Sequence, residues 1–379
     1  MIKIESIIYS QFPGETRAWY LDKCSLGDIN LIVGKNATGK TRTLNIIGGL
    51  GKMLSGEVKP TFLSGDYTVK FKEKGKEIVY HLEYKDNAVV RETLKVGGEL
   101  LLTRRKDGKG KIRTEEMDRM MRFQIPAGEL ACVCKRDTVQ HPFLEGLHIW
   151  GGSVRHYRFG TSLGKDSFVV GNRDDRDLPV NAKDANAVVP ILRKGESLFG
   201  EKFSKNVRRD MKAVGYDLES VETGPLQSIL LTGLGTASCV VVKERDLAAV
   251  TDQSDMSQGM FRCLSLIIQL TYAEMNGDAT CILIDDVGEG LDYERAAALI
   301  SVLIEKAKKS KVQLIMSTND RFVMNKVPLV YWSIADRCAN RVVMRNYRNS
   351  RKMFDEFELT GLSNFDLFSS RSSGTGDGQ

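Results

Sequence analysis

The run Gly34-Lys-Asn-Ala-Thr-Gly-Lys-Thr41 decides how the rest of the chain is read. It matches G-x-x-x-x-G-K-[ST], the pattern of a loop that wraps phosphate groups. Its surroundings suit that loop: Ile29-Asn-Leu-Ile-Val33 reads as a strand, and a helix is expected from Lys40 to about Leu54. Gly34 and Gly39 let the backbone curl, so that the amides of Lys35, Asn36, Ala37 and Thr38 point inward at the positive end of the helix. Lys40 then reaches the β- and γ-phosphates of ATP and the Thr41 hydroxyl ligates Mg²⁺, while Arg42 is counted with the ATP-binding residues.

Such a loop needs a carboxylate at the end of a neighbouring strand to hold the metal. Cys281-Ile-Leu-Ile-Asp285-Asp286 supplies one, with Asp285 orienting Mg²⁺ and Asp286 beside the attacking water. An amphipathic helix, Tyr293 to Lys308, carries Ala297, Ile300, Ile304 and Ala307 as its inner stripe and leads to a second strand, Val312-Gln-Leu-Ile-Met316. Strand, helix and strand in that order imply parallel pairing. Upstream, Ser257-Gln-Gly-Met-Phe-Arg262 opens a long apolar helix, which puts Ser257, Gln258 and Gly259 at an N-terminus able to bind an anion.

In chain order GKNATGKT, MSQGMFR, ILIDDVGEGLD and IMSTND resemble the ABC-type ATPase heads, in the stand-alone branch shared with RecF, the OLD proteins and the SMC heads. The resemblance covers Ile2 to about Ser370. It implies an α/β fold, a P-loop NTPase head with a mixed central sheet, an antiparallel β-meander and a helical lobe. It also implies two heads facing one another around ATP, with Ser257, Gln258 and Gly259 of one touching the γ-phosphate held by the other. Gly290 to Asp292 would form the D-loop, and Asn319 stands where the family has a switch histidine. For the Q-loop glutamine that helps ligate Mg²⁺, Gln140 in Thr138-Val-Gln-His-Pro is the candidate, with a plain surface glutamine as the alternative. The chain departs from the family at Asp286, where glutamate is usual, and at Asn319. Aspartate is one methylene shorter, and asparagine can hydrogen-bond the γ-phosphate but cannot take up and pass on a proton as histidine does, so slow hydrolysis is expected.

The composition agrees with a large folded chain. Of 379 residues 42% are hydrophobic and 27% charged, enough for two domains or one large two-lobed one. No run of about 18 apolar residues occurs; the longest nearly uncharged stretch, Ile229 to Val242, is broken by Gly233, Gly235 and Ser238. With no signal core at the N-terminus either, a cytoplasmic protein that does not cross a membrane is expected. The seven cysteines lack zinc-site spacing and read as reduced core residues.

Between the motifs, Glu57 to Arg105 alternates like an antiparallel meander, ending in the basic turn Arg104-Arg-Lys-Asp-Gly-Lys-Gly-Lys, read as solvated. Residues 165–188 look like a mobile connection and Ser369 to Gln379 like a disordered tail. Phe203, Val207, Met211 and Val214 mark one face of a helix whose other faces are basic. These features suggest a nucleotide-binding lobe at 1–160, a helical lobe at 161–275, the return of the core at 276–368 and the tail at 369–379.

Three functions follow. The first is an ATP-driven dimeric switch, or a larger assembly of the same copies, that controls a separately encoded nuclease or toxin in antiphage defence. The second is a RecF-like ATPase of DNA repair or recombination, gripping nucleic acid with the basic helix and with Arg337, Arg341, Arg345, Arg348 and Arg351; the net charge of +6 suits such a partner without requiring it. The third treats ATP as a structural ligand. For adenine, Tyr9, Phe12, Trp19 and Tyr20 are the aromatic candidates, each equally suited to core packing.

Overall fold

The computed structural model describes residues 2–60, 63–170, 180–228, 237–277, 281–310 and 312–373. The chain opens with β1 (Lys3–Gln11), β2 (Trp19–Ser25), β3 (Ile29–Val33) and α1 (Lys40–Leu54), then runs through β4 (Ser64–Glu73), β5 (Lys76–Lys85), β6 (Ala88–Val96), β7 (Glu99–Arg105), β8 (Lys109–Thr114) and β9 (Arg119–Gln124). Next come α2 (Ala131–Cys134), α3 (Glu145–Ser153), β10 (Val154–Arg158), β11 (Val169–Val170), α4 (Val188–Phe199), α5 (Glu201–Val214), β12 (Leu218–Pro225), β13 (Ala237–Glu244) and β14 (Thr251–Asp252). The last part holds α6 (Gln258–Asn276), β15 (Cys281–Asp285), α7 (Tyr293–Ser310), β16 (Gln313–Thr318), α8 (Arg321–Lys326), β17 (Trp332–Cys338), β18 (Arg341–Asn346), α9 (Tyr347–Glu358) and α10 (Asn364–Ser373).

Two compact units emerge. The first is Met1–Val154, Val312–Asn319 and Pro328–Gln379; the second is Arg155–Lys311 and Asp320–Val327. The acid-bearing strand β15 falls in the second because it pairs with β10, and α7 joins it by packing on α5. That division differs from the four-part reading of the sequence.

In the first unit the strands lie side by side in the order β16-β3-β17-β18-β2-β1-β4-β5-β6-β7-β8-β9. β3 is flanked by β16 and β17, both parallel to it, and every residue of Ile29–Val33 is buried, as in a strand covered on both faces. From β2 onward the pairing is antiparallel, so the sheet is mixed. Alternation sets the meander's faces: along β4 and β5, Tyr67, Val69 and Phe71, then Ile78, Tyr80 and Leu82, are buried while their neighbours are more exposed. The α1 helix buries Leu44, Ile47, Leu50 and Leu54 and meets α3 so closely that a Cβ on Gly151 would lie 2.8 Å from the Ser55 amide nitrogen.

The basic turn of the meander is not wholly solvated. Arg104 is fully buried, donating from Nη1 to Val89 O at 2.8 Å and from Nη2 to Pro126 O at 3.0 Å and Ala127 O at 2.8 Å. Three backbone carbonyls replace water around the guanidinium, which makes its burial tolerable. The meander also continues past the turn to Gln124.

In the second unit α6 is buried along almost its whole length from Met260 to Ala273, with α4, α5 and α7 packed around the helical lobe. Lys306 of α7 ties the lobe together through Asp210 at 2.7 Å and Glu274 at 3.0 Å. The basic helix is α5, with Phe203, Val207, Met211 and Val214 buried as its periodicity requires. A small sheet, β11-β13-β12 with β14 on β13, completes the unit.

Of the expected mobile connection, 171–179 lie outside the described residues, as do 229–236 of the uncharged stretch. The flanking part of the connection is held: Gln253, fully buried, donates from Nε2 to the carbonyls of Gly164, Lys165 and Ser167. The tail reading is corrected at its start, since α10 extends to Ser373, while 374–379 lie outside the described residues. Among the cysteines Cys134 and Cys338 are exposed rather than buried in the core, because each lies at or beside a turn; all seven are unpaired thiols. No described helix is long and apolar enough to cross a membrane.

Candidate functional site

In the first unit β3 ends at Val33 and the loop begins at Gly34, where a side chain has no room: a Cβ there would lie 2.6 Å from Thr38 Oγ1 and 2.9 Å from Ala335 O. Gly39 takes φ +99 as the N-cap of α1, and a Cβ on it would press on Trp19 and Val342. Close neighbours alone make glycine necessary at Gly34, and left-handed backbone with close neighbours makes it necessary at Gly39. Within it Ala37 is also left-handed, at φ 63, and the Thr38 hydroxyl donates to Lys35 O at 2.8 Å.

Lys40, buried, places its ammonium 2.8 Å from Gly34 O and 3.1 Å from Lys35 O, so the positive charge is held inside the curl of the loop. Thr41 is exposed on the first helical turn. Arg42 stacks on Trp19, 4.0 Å from the ring centre, and donates to Gln11 Oε1 at 2.5 Å. Burial lowers its pKa, and the nearby charge of Arg337 lowers it further, opposed by Tyr9. This donor set fits a polyphosphate with its magnesium: a glycine-bounded curl, a lysine at its centre, a threonine hydroxyl beside it and the N-terminus of a 15-residue helix beneath. Lys35, Asn36, Ala37, Thr38 and Gly39 would offer amides to the phosphates and Thr41 its hydroxyl to Mg²⁺.

The sheet delivers a second group to the same place. Thr318 lies opposite Val33 in the parallel ladder of β16 and β3, so Asn319, which is exposed, emerges beside the start of the loop. From the other flank, Arg337 of β17 donates to Ala37 O at 2.9 Å.

Gln140, the expected magnesium ligand, has no contact with this loop among the described hydrogen bonds. It lies where its carbonyl accepts from the Glu115 amide at the β8–β9 turn, nine strands along the sheet order from β3. The helix that follows it, α3, meets α1 near Gly51, about 16 Å of helical rise from Lys40. Tyr9 and Trp19 are also unsuited to adenine, being buried and packed on one another; burial raises the Tyr9 pKa as well. Phe12 lies under Arg17 and Tyr20 under Arg341, both half-exposed.

In the second unit the acids follow β15. Asp285 is buried, and its carbonyl accepts from the Phe159 amide at 2.9 Å. Asp286 turns out of the strand at φ 52, a left-handed conformation that aspartate tolerates better than most residues. The loop Phe159-Gly-Thr-Ser162 after β10 is therefore a neighbour of the acid pair. The sequence reading passed over it because Val154-Arg-His-Tyr-Arg158 mixes polar and apolar residues without regular alternation.

Ser257 caps α6, its hydroxyl accepting from the Met260 amide at 3.2 Å, and Ser257 and Gln258 are exposed. Gly259 packs beside Leu291 and Gly290 of the loop after β15, where a Cβ would come within 3.0 Å of Leu291 Cδ2. Arg262 binds three carbonyls, Thr161 at 2.8 Å, Gly160 at 2.9 Å and Glu289 at 3.1 Å, and so joins α6, the loop after β10 and the loop after β15. Asp292 accepts from the Arg295 amide at 3.0 Å and from its guanidinium at 2.5 Å; both contacts lower its pKa. Arg295 in turn covers Tyr216, whose phenol burial pushes up to about 12. Upstream, burial would raise the Asp252 pKa, but hydrogen bonds from Ser228, the Gln227 amide and Ser254 outweigh it and hold it low. That carboxylate therefore stays charged and braces the turn leading into Ser257.

No family model and no curated protein matches this sequence. Solved structures do. The SMC head bound to the C-winged helix domain of ScpA is 12% identical with a TM-score of 0.54, over 92% of this chain and 99% of that one. The Smc head domain with an extended coiled coil, bound to the C-terminal domain of ScpA from Pyrococcus furiosus, is 11% identical with a TM-score of 0.50, over 94% of this chain and all 100% of that one. The fold is thus that of an ABC-type P-loop head, as the four ordered motifs implied.

Proposed function

We propose that this chain is a magnesium-dependent ATPase head that pairs with a second copy around ATP and acts as a slow switch for a separately encoded effector, a nuclease or toxin, in antiphage defence. The observation that carries the reading is the first unit's phosphate cradle, in which the Lys40 ammonium sits within hydrogen-bonding distance of Gly34 O and Lys35 O while β16 brings Asn319 alongside. In this reading Lys40 neutralises the phosphates, Thr41 offers its hydroxyl to Mg²⁺ and Asn319 hydrogen-bonds the terminal phosphate, while the metal-holding and water-orienting roles of Asp285 and Asp286 rest on the sequence resemblance alone. Ser257, Gln258 and Gly259 serve the second copy's nucleotide, which suits their place at the exposed N-terminus of a 19-residue helix. A protein partner is in keeping with the two SMC heads, each solved with a domain of ScpA.

The DNA-gripping alternative has less support. Arg208, Arg209, Lys212, Arg341, Arg345 and Arg351 each engage a carboxylate of this chain, so most of the cations set aside for a nucleic-acid backbone already have partners.

Light scattering of the purified protein tests the switch. The Asp286→Ala protein should be a dimer with Mg-ATP and a monomer without it, and Lys40→Ala a monomer in both. A protein that stays monomeric with bound ATP overturns the reading, and affinity for duplex DNA that falls steeply with salt favours the alternative.

A further inference from the structure

We infer that Arg337 is a positioning residue of the phosphate loop and not part of a nucleic-acid surface; the inference rests on the ATP-binding role proposed above. Its guanidinium spans two carbonyls, donating from Nη1 to Ala37 O at 2.9 Å and from Nε to Ala339 O at 2.7 Å. Both acceptors belong to left-handed non-glycine residues, Ala37 at φ 63 and Ala339 at φ 53. Such residues persist only where neighbours hold them, and the rigid fork of an arginine can fasten one to the other.

The consequence for phosphate follows from peptide planarity. In a trans peptide the carbonyl oxygen of Ala37 and the amide of Thr38 lie in one plane and point in opposite directions. Fixing the oxygen on Arg337 therefore turns the Thr38 amide the other way, and that amide points to Lys35 O at 3.3 Å. The same oxygen receives the Lys40 ammonium at 3.1 Å. Arg337 thus keeps one amide aimed at the place where the lysine charge sits, which is the orientation that phosphate binding requires.

Charge supports the assignment. Among the described residues neither Arg337 nor Arg42 has a carboxylate within salt-bridge distance, whereas Arg341, Arg345 and Arg351 from the same part of the chain do. Two guanidiniums close enough to affect one another, both on neutral oxygens, leave the neighbourhood of the loop with a positive charge that a polyanion would offset.

Calorimetry with Mg-ATP and steady-state kinetics on the full chain test this. For Arg337→Ala the Kd and KM for ATP should rise about tenfold, the worth of one charge-assisted hydrogen bond, with kcat within about twofold and the nucleotide-free protein still folded, its unfolding temperature lowered by about 2–4 °C at most. Arg337→Lys should not restore affinity, because an ammonium cannot span both carbonyls. Wild-type ATP affinity in Arg337→Ala, with Lys40→Ala inactive in binding, overturns this inference alone. Wild-type affinity in both variants overturns the nucleotide reading beneath it. Unchanged ATP affinity with weakened binding to duplex DNA returns Arg337 to the nucleic-acid alternative.

Discussion

Thr318 stands opposite Val33 in the parallel ladder, so the residues that follow them, Asn319 and Gly34, leave the sheet from the ends of two adjacent, paired strands. Proximity of that kind lets a side chain sense the terminal phosphate of a nucleotide wrapped by the loop. Asn319→Ala should lower kcat by about tenfold to a hundredfold while leaving ATP affinity within about twofold, as for the loss of one polar stabilising group. A fall in affinity with kcat preserved would assign Asn319 to binding instead.

Lys40 contributes the central charge of the loop. Lys40→Ala should weaken ATP binding by at least about a hundredfold, since two charge-assisted contacts at about 1.5–3 kcal/mol each are lost. Equilibrium binding of a fluorescent ATP analogue checks this directly.

Asp286→Ala should retain nucleotide and stop turnover. Wild-type turnover itself should stay below the enzyme median of about 10 per second, because the shorter acid polarises water from farther back and Asn319 cannot shuttle a proton. Phosphate release assays read both quantities, and undiminished hydrolysis by Asp286→Ala would mean that the acids are assigned wrongly.

Gly34→Ala places a methyl group 2.6 Å from Thr38 Oγ1 and 2.9 Å from Ala335 O. Overpacking against backbone should cost about 1–3 kcal/mol of unfolding free energy and abolish ATP binding together. Denaturant titration separates this from Lys40→Ala, whose stability should change little.

Glu196 in α4 gives a pH signature. Burial, then the charge of Glu222, pushes its pKa up to about 7, with Arg193 opposing. The folded chain therefore holds this proton over a range where the unfolded chain has released it. Stability should decline as pH rises from about 4.5 through 7 and level off above, the direction required when the native state binds more protons. Glu196→Gln should flatten that part of the profile and raise the unfolding temperature at pH 8.

Much of the fold was legible because the signals were local. Ile29–Val33 and Lys40–Leu54 fall where the loop pattern puts them, and α5 and α7 follow from apolar residues at helical spacing. What failed depended on distant partners. Arg104 looks like part of a solvated basic turn, yet carbonyls from 89, 126 and 127 enclose it. Gln140 follows the meander in sequence, but sequence order does not reveal that the last hairpin lies at the far edge of the sheet. Arg337 carries no motif at all; its role depends on β17 pairing beside β3, a crossover that no local pattern encodes.

Cys338 follows Arg337 at the end of β17 and is exposed, while Cys24, Cys132, Cys239, Cys263 and Cys281 are sealed in the interior. A maleimide dye should therefore label a Cys134→Ser protein at this one position, one residue from the guanidinium that grips the Ala37 carbonyl. The native chain thus carries its own optical handle beside the loop, from which filling and emptying of the pocket can be timed without engineering a new thiol.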